Sequence, residues 1–263
     1  MLEEILGWKR TEVARQKSGV PLSGLKKACR DLPPVLDFQK ALQGATRISI
    51  IAEIKKASPS RGIIRRDFDP LQIARCYERE GAAALSILTD RKFFQGDLRY
   101  LQQVRQVSNL PLLRKDFIVD AYQIYEARLA GADAVLLIAD ALSESELIDL
   151  YGLAKDLGLH VLLEIHDQKE LDKILSTGSP IVGINNRNLK TFQVDLAVTA
   201  RLISLIPEDR LVVSESGIYQ ADQLRWLRGL GVAAVLVGEA LMAREDISQA
   251  FRELRGGHAR ETR

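Results

Sequence analysis

The chain has 263 residues, 46% of them hydrophobic, which suits one large α/β domain with a substantial core. A formal net charge of +2 gives no whole-chain pull toward nucleic acid or membrane, so neither partner is expected, though a local cationic pocket for an anionic metabolite is compatible with it. The two cysteines, Cys29 and Cys76, make no disulfide scaffold and show no metal-ligand spacing; Cys76 reads as a small buried hydrophobe in a helical window.

The start, Met1-Leu2-Glu3-Glu4, is charged and lacks a signal-peptide core. No apolar run approaches the roughly 20 residues of a membrane span, so a soluble, cytoplasmic protein is expected. Residues 2–17 place Leu2, Ile5, Leu6 and Val13 at helical spacing among many charges. A stretch punctuated by Ser18-Gly19-Val20-Pro21 and Pro33-Pro34 follows, then a short helical pattern over 35–42. Residues 1–47 thus read as a helical extension ahead of the main fold.

From Arg47 the chain alternates. Strand patterns fall at 48–54, 83–88, 110–114, 134–138, 160–164, 181–184, 211–214 and 234–237. Helical windows lie between them, near 70–80, 97–107, 121–130, 143–157, 167–176, 196–206, 220–228 and 247–254. Gly81, Gly131 and Gly231 stand where left-handed helix C-caps are expected. Eight strands alternating with eight helices predict an α/β fold, a (β/α)8 TIM barrel over 48–255, with 256–263 as a loose tail of the same single domain. A doubly wound open sheet is the rival, but it usually has fewer strands and a Gly-rich fingerprint after the first, and neither fits.

Chemistry in such barrels sits at the C-terminal strand ends. The first strand ends in Glu53 and Lys55, which share a face, with Ser58 in the loop beyond. The second is followed by Phe93 and Phe94, placed to wall an aromatic substrate; the third ends at Lys115, the fifth at Glu164 and His166, the sixth at Asn185 and Arg187. Ser216, Gly217 and Gly238, after strands seven and eight, are small enough for backbone N–H groups to approach a phosphate. Tight turns alone would explain either glycine; the two together favour phosphate.

Lys55, Lys115, Glu53 and Glu164 would converge on the barrel mouth. A lysine among cations and apolar walls can have its pKa lowered toward neutrality and then act as a general acid, while a nearby carboxylate removes a proton. The alternative is a structural salt-bridge ring, but four charges on three strand tails, beside Asn185 and Arg187, favour catalysis. Three scattered histidines, His160, His166 and His258, make no metal site, and His166 reads as a packing or hydrogen-bonding residue. Trp8 and Trp226 fall in helical windows as packing residues.

Five motifs then resemble the indole-3-glycerol phosphate synthase family over essentially the whole chain. They are Ile-Ala-Glu-Ile-Lys-Lys-Ala-Ser-Pro-Ser-Arg-Gly at 51–62, Leu-Arg-Lys-Asp-Phe at 113–117, Leu-Leu-Glu-Ile-His at 162–166, Gly-Ile-Asn-Asn-Arg-Asn-Leu at 183–189 and Ser-Glu-Ser-Gly-Ile at 214–218. The resemblance implies a carboxy-lyase of tryptophan biosynthesis acting on 1-(2-carboxyphenylamino)-1-deoxyribulose 5-phosphate. The indole ring closes, and carbon dioxide and then water are lost, with no metal or organic cofactor implied. By motif position Lys115 is the general acid and Glu164 the base or the stabiliser of a cationic intermediate. Lys55 and Glu53 assist dehydration and hold the substrate, Asn185 and Arg187 orient the anthranilate part, and Ser58, Ser216, Gly217 and Gly238 hold the phosphate. Glu239 departs from members with a small hydroxyl residue there. The only partner implied is the small phosphorylated substrate; a monomer is expected, with transient contact with other tryptophan-pathway enzymes.

Three other readings compete. One is a Schiff-base aldolase of a phosphosugar using Lys55 or Lys115. Another is a phosphoribosylanthranilate isomerase, whose cysteine–aspartate pair at strand ends has no counterpart here. The third is a barrel that only binds a metabolite or protein.

Overall fold

In the computed structural model, which describes residues 1–44, 46–189 and 191–257, eight parallel strands close into a barrel. They are β1 (Ser49–Ile54), β2 (Ala84–Leu88), β3 (Leu112–Lys115), β4 (Ala134–Ile138), β5 (His160–Ile165), β6 (Ile181–Asn185), β7 (Leu211–Glu215) and β8 (Ala234–Val237). Each pairs with its sequence neighbours, and β1 closes the ring against β8 in the register Ser49↔Ala234. The strands are apolar almost throughout because both faces are covered, the outer by helices and the inner by the opposite wall. Ile51, Leu113, Leu162 and Val213 are buried at one level on β1, β3, β5 and β7. Two residues further along those strands come Glu53, Lys115, Glu164 and Glu215, so the side-chain period of two carries the apolar layer directly into the charged one.

Local chemistry sets the helix ends. Asp69, Asp97, Asp120, Asp167, Asp246 and Ser143 each cap a barrel helix by accepting a backbone N–H with the side chain, and Pro70 begins the helix Pro70–Arg79. Gly81, Gly131 and Gly231 take positive φ of 85°, 88° and 94° after their helices, as their positions predicted. The third strand starts at Leu112 rather than at residue 110, because Pro111 has no N–H for the ladder. Short elements beyond the alternation also form: a two-residue ladder of Ala57–Ser58 with Gly62–Ile63, and one-turn helices at Arg91–Phe94 and Glu239–Met242.

The extension contains α1 (Leu2–Gly19), α2 (Leu22–Ala28) and α3 (Phe38–Leu42). α2 occupies the stretch between the proline-marked breaks, where no helix was expected. α3 starts at Phe38 rather than at residue 35, because Asp37 caps it by accepting the Lys40 N–H at 2.8 Å. Trp226 departs from the packing expected of it and is 43% exposed on Ala221–Gly229. Cys29 is buried and Cys76 half-buried, while His258 lies outside the described residues. Among the described residues no helix is long and apolar enough to cross a membrane.

One carboxylate ties the extension to the barrel. Buried Asp133, just before β4, accepts the Leu36 N–H at 2.7 Å, the Leu112 N–H at 2.8 Å and Arg105 Nη1 at 2.8 Å. Replacing it leaves two amides without their acceptor and takes the carboxylate from Arg105, whose guanidinium keeps the Ser108 and Leu110 carbonyls. Asp133→Ala is therefore expected to cost about 3 kcal/mol of stability, read as a lowered urea midpoint at unchanged slope.

Candidate active site

One cavity at the C-terminal mouth of the barrel is lined by Glu53, Lys55, Lys115 and Glu164 and also by Asn185, Arg187, Ser58, Ser216, Gly217, Gly238 and Phe94. The catalytic and binding candidates are thus brought to a single space, except that Phe93, expected beside Phe94 as a wall for an aromatic substrate, does not line it. Leu136, Ile138, Leu236 and Phe117 add apolar wall, with the Phe94 and Phe117 rings 6.0 Å apart.

The floor is a ring of charge. Lys115 Nζ lies 3.1 Å from Glu164 Oε2 and 3.4 Å from Glu215 Oε2, and Lys55 Nζ lies 2.5 Å from Glu53 Oε2. Glu53, Glu164 and Glu215 are each under 5% exposed, so these are interior carboxylates. Neighbouring strands leave room for them: a Cβ on Gly183 would stand 2.5 Å from Glu215 Oε1, and one on Gly238 would collide with Glu53 Oε2. Both glycines face the charged ring, and Gly238 has φ −123°, so clearance rather than backbone freedom is what it provides there.

The electrostatics differ from the sequence expectation in one respect. Burial on its own would lower the Lys115 pKa, but Glu164, Glu215 and Glu53 outweigh it and hold the ammonium charged, above the ordinary lysine value. The lysine is surrounded by anions rather than by cations. Glu215 was not singled out as a site residue; its Ser-Glu-Ser-Gly setting drew attention to the turn instead. Burial, only partly offset by Lys115 and reinforced by the Glu164 and Glu53 charges, pushes its carboxyl up to about 8. Its Oε1 is buried with no hydrogen-bond partner among the described residues.

Around this floor, Asn185 Nδ2 donates to Glu164 Oε1 at 3.1 Å, and Asn185 Oδ1 accepts the Arg187 N–H at 3.0 Å. His166 Nδ1 donates to the Asn185 carbonyl at 2.8 Å, so its Nε2, 3.2 Å from Asn188 Nδ2, is the accepting nitrogen. His166 therefore works as the hydrogen-bonding brace expected of it.

Small residues make the other side of the cavity. Ser216 and Gly217 have φ of 67° and 78°, and the Ser216 carbonyl is held by Asn186 Nδ2 at 3.1 Å. Ser58 Oγ lies 3.4 Å from Ser60 Oγ in the loop after β1. Glu239 turns its carboxylate to cations and a phenol: Arg61 Nη2 at 2.8 Å, Arg187 Nη2 at 3.6 Å and Tyr219 OH, which donates at 3.1 Å. That one side chain joins the loops after β1, β6, β7 and β8. Among the described residues no group of three His, Cys, Asp or Glu side chains is arranged to hold a metal ion.

The raised Glu215 carboxyl has a measurable consequence. Its folded value exceeds the ordinary 4.5, so the folded protein keeps a proton that the unfolded chain sheds. This group's contribution to stability is full at low pH and declines as pH climbs from about 4.5 through about 8. Glu215→Gln, fixed in the neutral form, should lose less melting temperature than the parent between about pH 6 and about pH 9, as followed by thermal unfolding at a series of pH values.

Comparison with known proteins gives the fold and the family. The solved structure of KGPDC from Streptococcus mutans superposes with a TM-score of 0.62 over 80% of this chain and 97% of that one, at 13% identity, and shares the fold. Indole-3-glycerol phosphate synthases are far more similar in sequence. That of Alkaliphilus metalliredigens is 48% identical, with 98% of each chain covered. That of Rhodopirellula baltica is 50% identical over 97% of this chain and 98% of its own, and that of Acetivibrio thermocellus is 48% identical over 97% and 99%. The family model described as indole-3-glycerol phosphate synthase matches residues 2–254, and the chain belongs to that family.

Proposed function

We propose that the chain converts 1-(2-carboxyphenylamino)-1-deoxyribulose 5-phosphate to indole-3-glycerol phosphate, releasing carbon dioxide and water. The observation that carries the reading is the charged Lys115 on the cavity floor, held between Glu164 and Glu215 and facing the Lys55–Glu53 pair. Ring closure needs an acid at the ribulose carbonyl oxygen. An ammonium held in place between the Glu164 carboxylate and the Glu215 carboxyl supplies the proton and stabilises the oxygen as charge develops there. The aromatic carbon that bears the carboxylate attacks the carbonyl carbon, and the nitrogen takes up the positive charge. Breaking the bond to the carboxylate returns an electron pair to the ring as carbon dioxide leaves. The new hydroxyl then departs as water, and loss of a proton completes the indole.

Glu164, 3.1 Å from Lys115 and braced by Asn185, is placed either to accept a proton or to stabilise the cationic intermediate. Lys55 and Glu53 lie across the floor, where they can assist dehydration and hold the anionic substrate. Arg187, whose backbone N–H is held by Asn185 and which lines the cavity, suits the anthranilate carboxylate. Ser58, Ser216, Gly217 and Gly238 suit the phosphate, and Glu239, turned to Arg61, Arg187 and Tyr219, leaves its side chain engaged elsewhere. Phe94 and Phe117, packed on each other, offer an apolar wall for the anthranilate ring, and holding ring and carbonyl in attack geometry itself lowers the barrier.

The competing chemistries find less support. A Schiff-base lysine must be a neutral amine, and the carboxylates around Lys115 oppose deprotonation. A cysteine-based isomerase needs a thiol at a strand end, whereas Cys76 sits in Pro70–Arg79 and Cys29 follows α2.

A continuous fluorescence assay should show the indole product forming at the same rate with and without EDTA. In that assay Lys115→Ala should lower kcat about 10³-fold, while its circular dichroism matches the parent. A folded Lys115→Ala protein with near-parent kcat would disprove the assignment.

A further inference from the structure

Lys9 lies on α1, in a segment that contributes no side chain to the cavity lining, yet it is 2% exposed. Its ammonium meets three carboxylates: Glu12 Oε2 at 2.7 Å, Asp90 Oδ2 at 2.8 Å and Asp116 Oδ1 at 3.0 Å. Burial opposes that charge, but Asp116 and Asp90 outweigh it and raise the Lys9 pKa above the ordinary value. Asp116 is the residue after Lys115, and Asp90 begins the turn that carries Phe94. Both aspartates are buried, at 3% and 0% exposure.

The contacts continue to the backbone of Lys115 from both sides. Thr89 Oγ1 donates to Asp116 Oδ2 at 2.6 Å, and Arg114 Nη2 reaches the same oxygen at 3.1 Å. The Thr89 N–H donates to the Lys115 carbonyl at 3.1 Å. Asp90 Oδ1 accepts the Phe93 N–H at 2.7 Å and so caps the turn Arg91–Phe94, while its Oδ2 faces the Lys9 ammonium at 2.8 Å. Trp8, next to Lys9, has the Lys92 ammonium 4.2 Å from its ring centre, a second grip on the same turn.

A fully buried ion cluster is a poor way to attach a helix whose Leu2, Ile5, Leu6 and Val13 already pack on the barrel, because desolvating the charges consumes most of what their attraction returns. What such a cluster does well is fix one arrangement of the groups it joins. We propose that Lys9 is a positioning residue for the chemistry: through Asp116 it sets the Lys115 ammonium, and through Asp90 it sets the Phe94 wall. The proposal rests on the reading of Lys115 as the acid. Without Lys9, Asp90 and Asp116 are like charges buried together, with Arg114 the one cation in direct contact with Asp116 among the described residues. Glu12 on α1 and Glu126 on Ala121–Leu129, which contacts Arg114 at 3.4 Å, add further negative charge. In the parent, burial raises the Asp116 pKa, but Lys9, Arg114 and the Thr89 hydroxyl hold it below the ordinary carboxylate range.

The test is steady-state kinetics across pH on the full-length parent, Lys9→Met, the double variant Lys9→Met/Asp90→Asn, and Lys115→Ala. Lys9→Met should fold and show kcat reduced by about tenfold or more, with KM changed by less than about threefold, because a displaced acid harms the chemical step more than binding. Its kcat should gain a limb that rises with pH, since Asp116 now takes up a proton and must lose it to restore the arrangement. The double variant, relieved of the Asp90 charge, should move that limb to lower pH. A purely structural role would lower thermal stability but leave the kcat and pH profile of the folded protein in place, and that result overturns the proposal. Failure of both variants to fold would assign Lys9 to the core and overturn it as well. An inactive parent, or an unimpaired Lys115→Ala, would remove the reading underneath, and either is recognisable because both proteins retain Lys9.

Discussion

Closing an eight-stranded parallel sheet forces alternate strands to project side chains into one narrow level, and here that level holds charge. Glu53 on β1, Glu164 on β5 and Glu215 on β7 are three carboxylates in a space with little water, and Lys115 from β3 contacts two of them. Even with that cation among them they do not all stay ionised, and Glu215 is the one that keeps its proton. The sharing of protons on this floor, the clearance left by Gly183 and Gly238 and the direction in which Lys115 points all follow from that crowding. Four strands donate the charge, and two of the intervening positions are glycines so that it fits.

The barrel alternation was plain in the sequence because a parallel strand covered on both faces is apolar without interruption, and each helix between carries its own cap. The boundaries were less plain where a single atom decides them. Pro111 has no hydrogen to donate, and the Asp37 side chain begins α3 later than the pattern suggested. The site residues could be found because barrel chemistry gathers at the strand ends, and polar residues at those ends are costly unless used. Their protonation could not be found in this way. The direction of the Lys115 shift depends on Glu164, Glu215 and Glu53 together, which stand on three other strands and reach Lys115 only through closure of the ring. Lys9 was counted among the charges of an amphipathic helix, although its spacing from Leu2, Ile5, Leu6 and Val13 puts it on the buried face.

Two buried charge systems therefore meet at Lys115. Its side chain belongs to the catalytic floor, and its backbone belongs to the cluster of Lys9, Asp90, Thr89, Arg114 and Asp116. Glu239 is a third and more exposed linkage, joining loops around the mouth. The arrangement is graded from the core outwards: apolar layer, ionised layer, and then a rim of polar loop contacts where a ligand enters. Rigidity follows the same gradient, since buried ion clusters admit fewer geometries than solvated ones.

The pairing of β1 with β8 also has a meaning for synthesis. A chain emerging from the ribosome can form α1, the first strands and the Lys9 contacts with Asp90 and Asp116 while the second half is still unmade. The Ser49↔Ala234 register cannot form until residue 234 has been added, 185 positions after its partner. Until then β1 presents an open edge of unpaired amides and carbonyls, the kind of surface that neighbouring nascent chains pair with. The extension packs α3 against the first two strands of that half-built sheet, so a segment translated before the barrel is also the first shelter available to it.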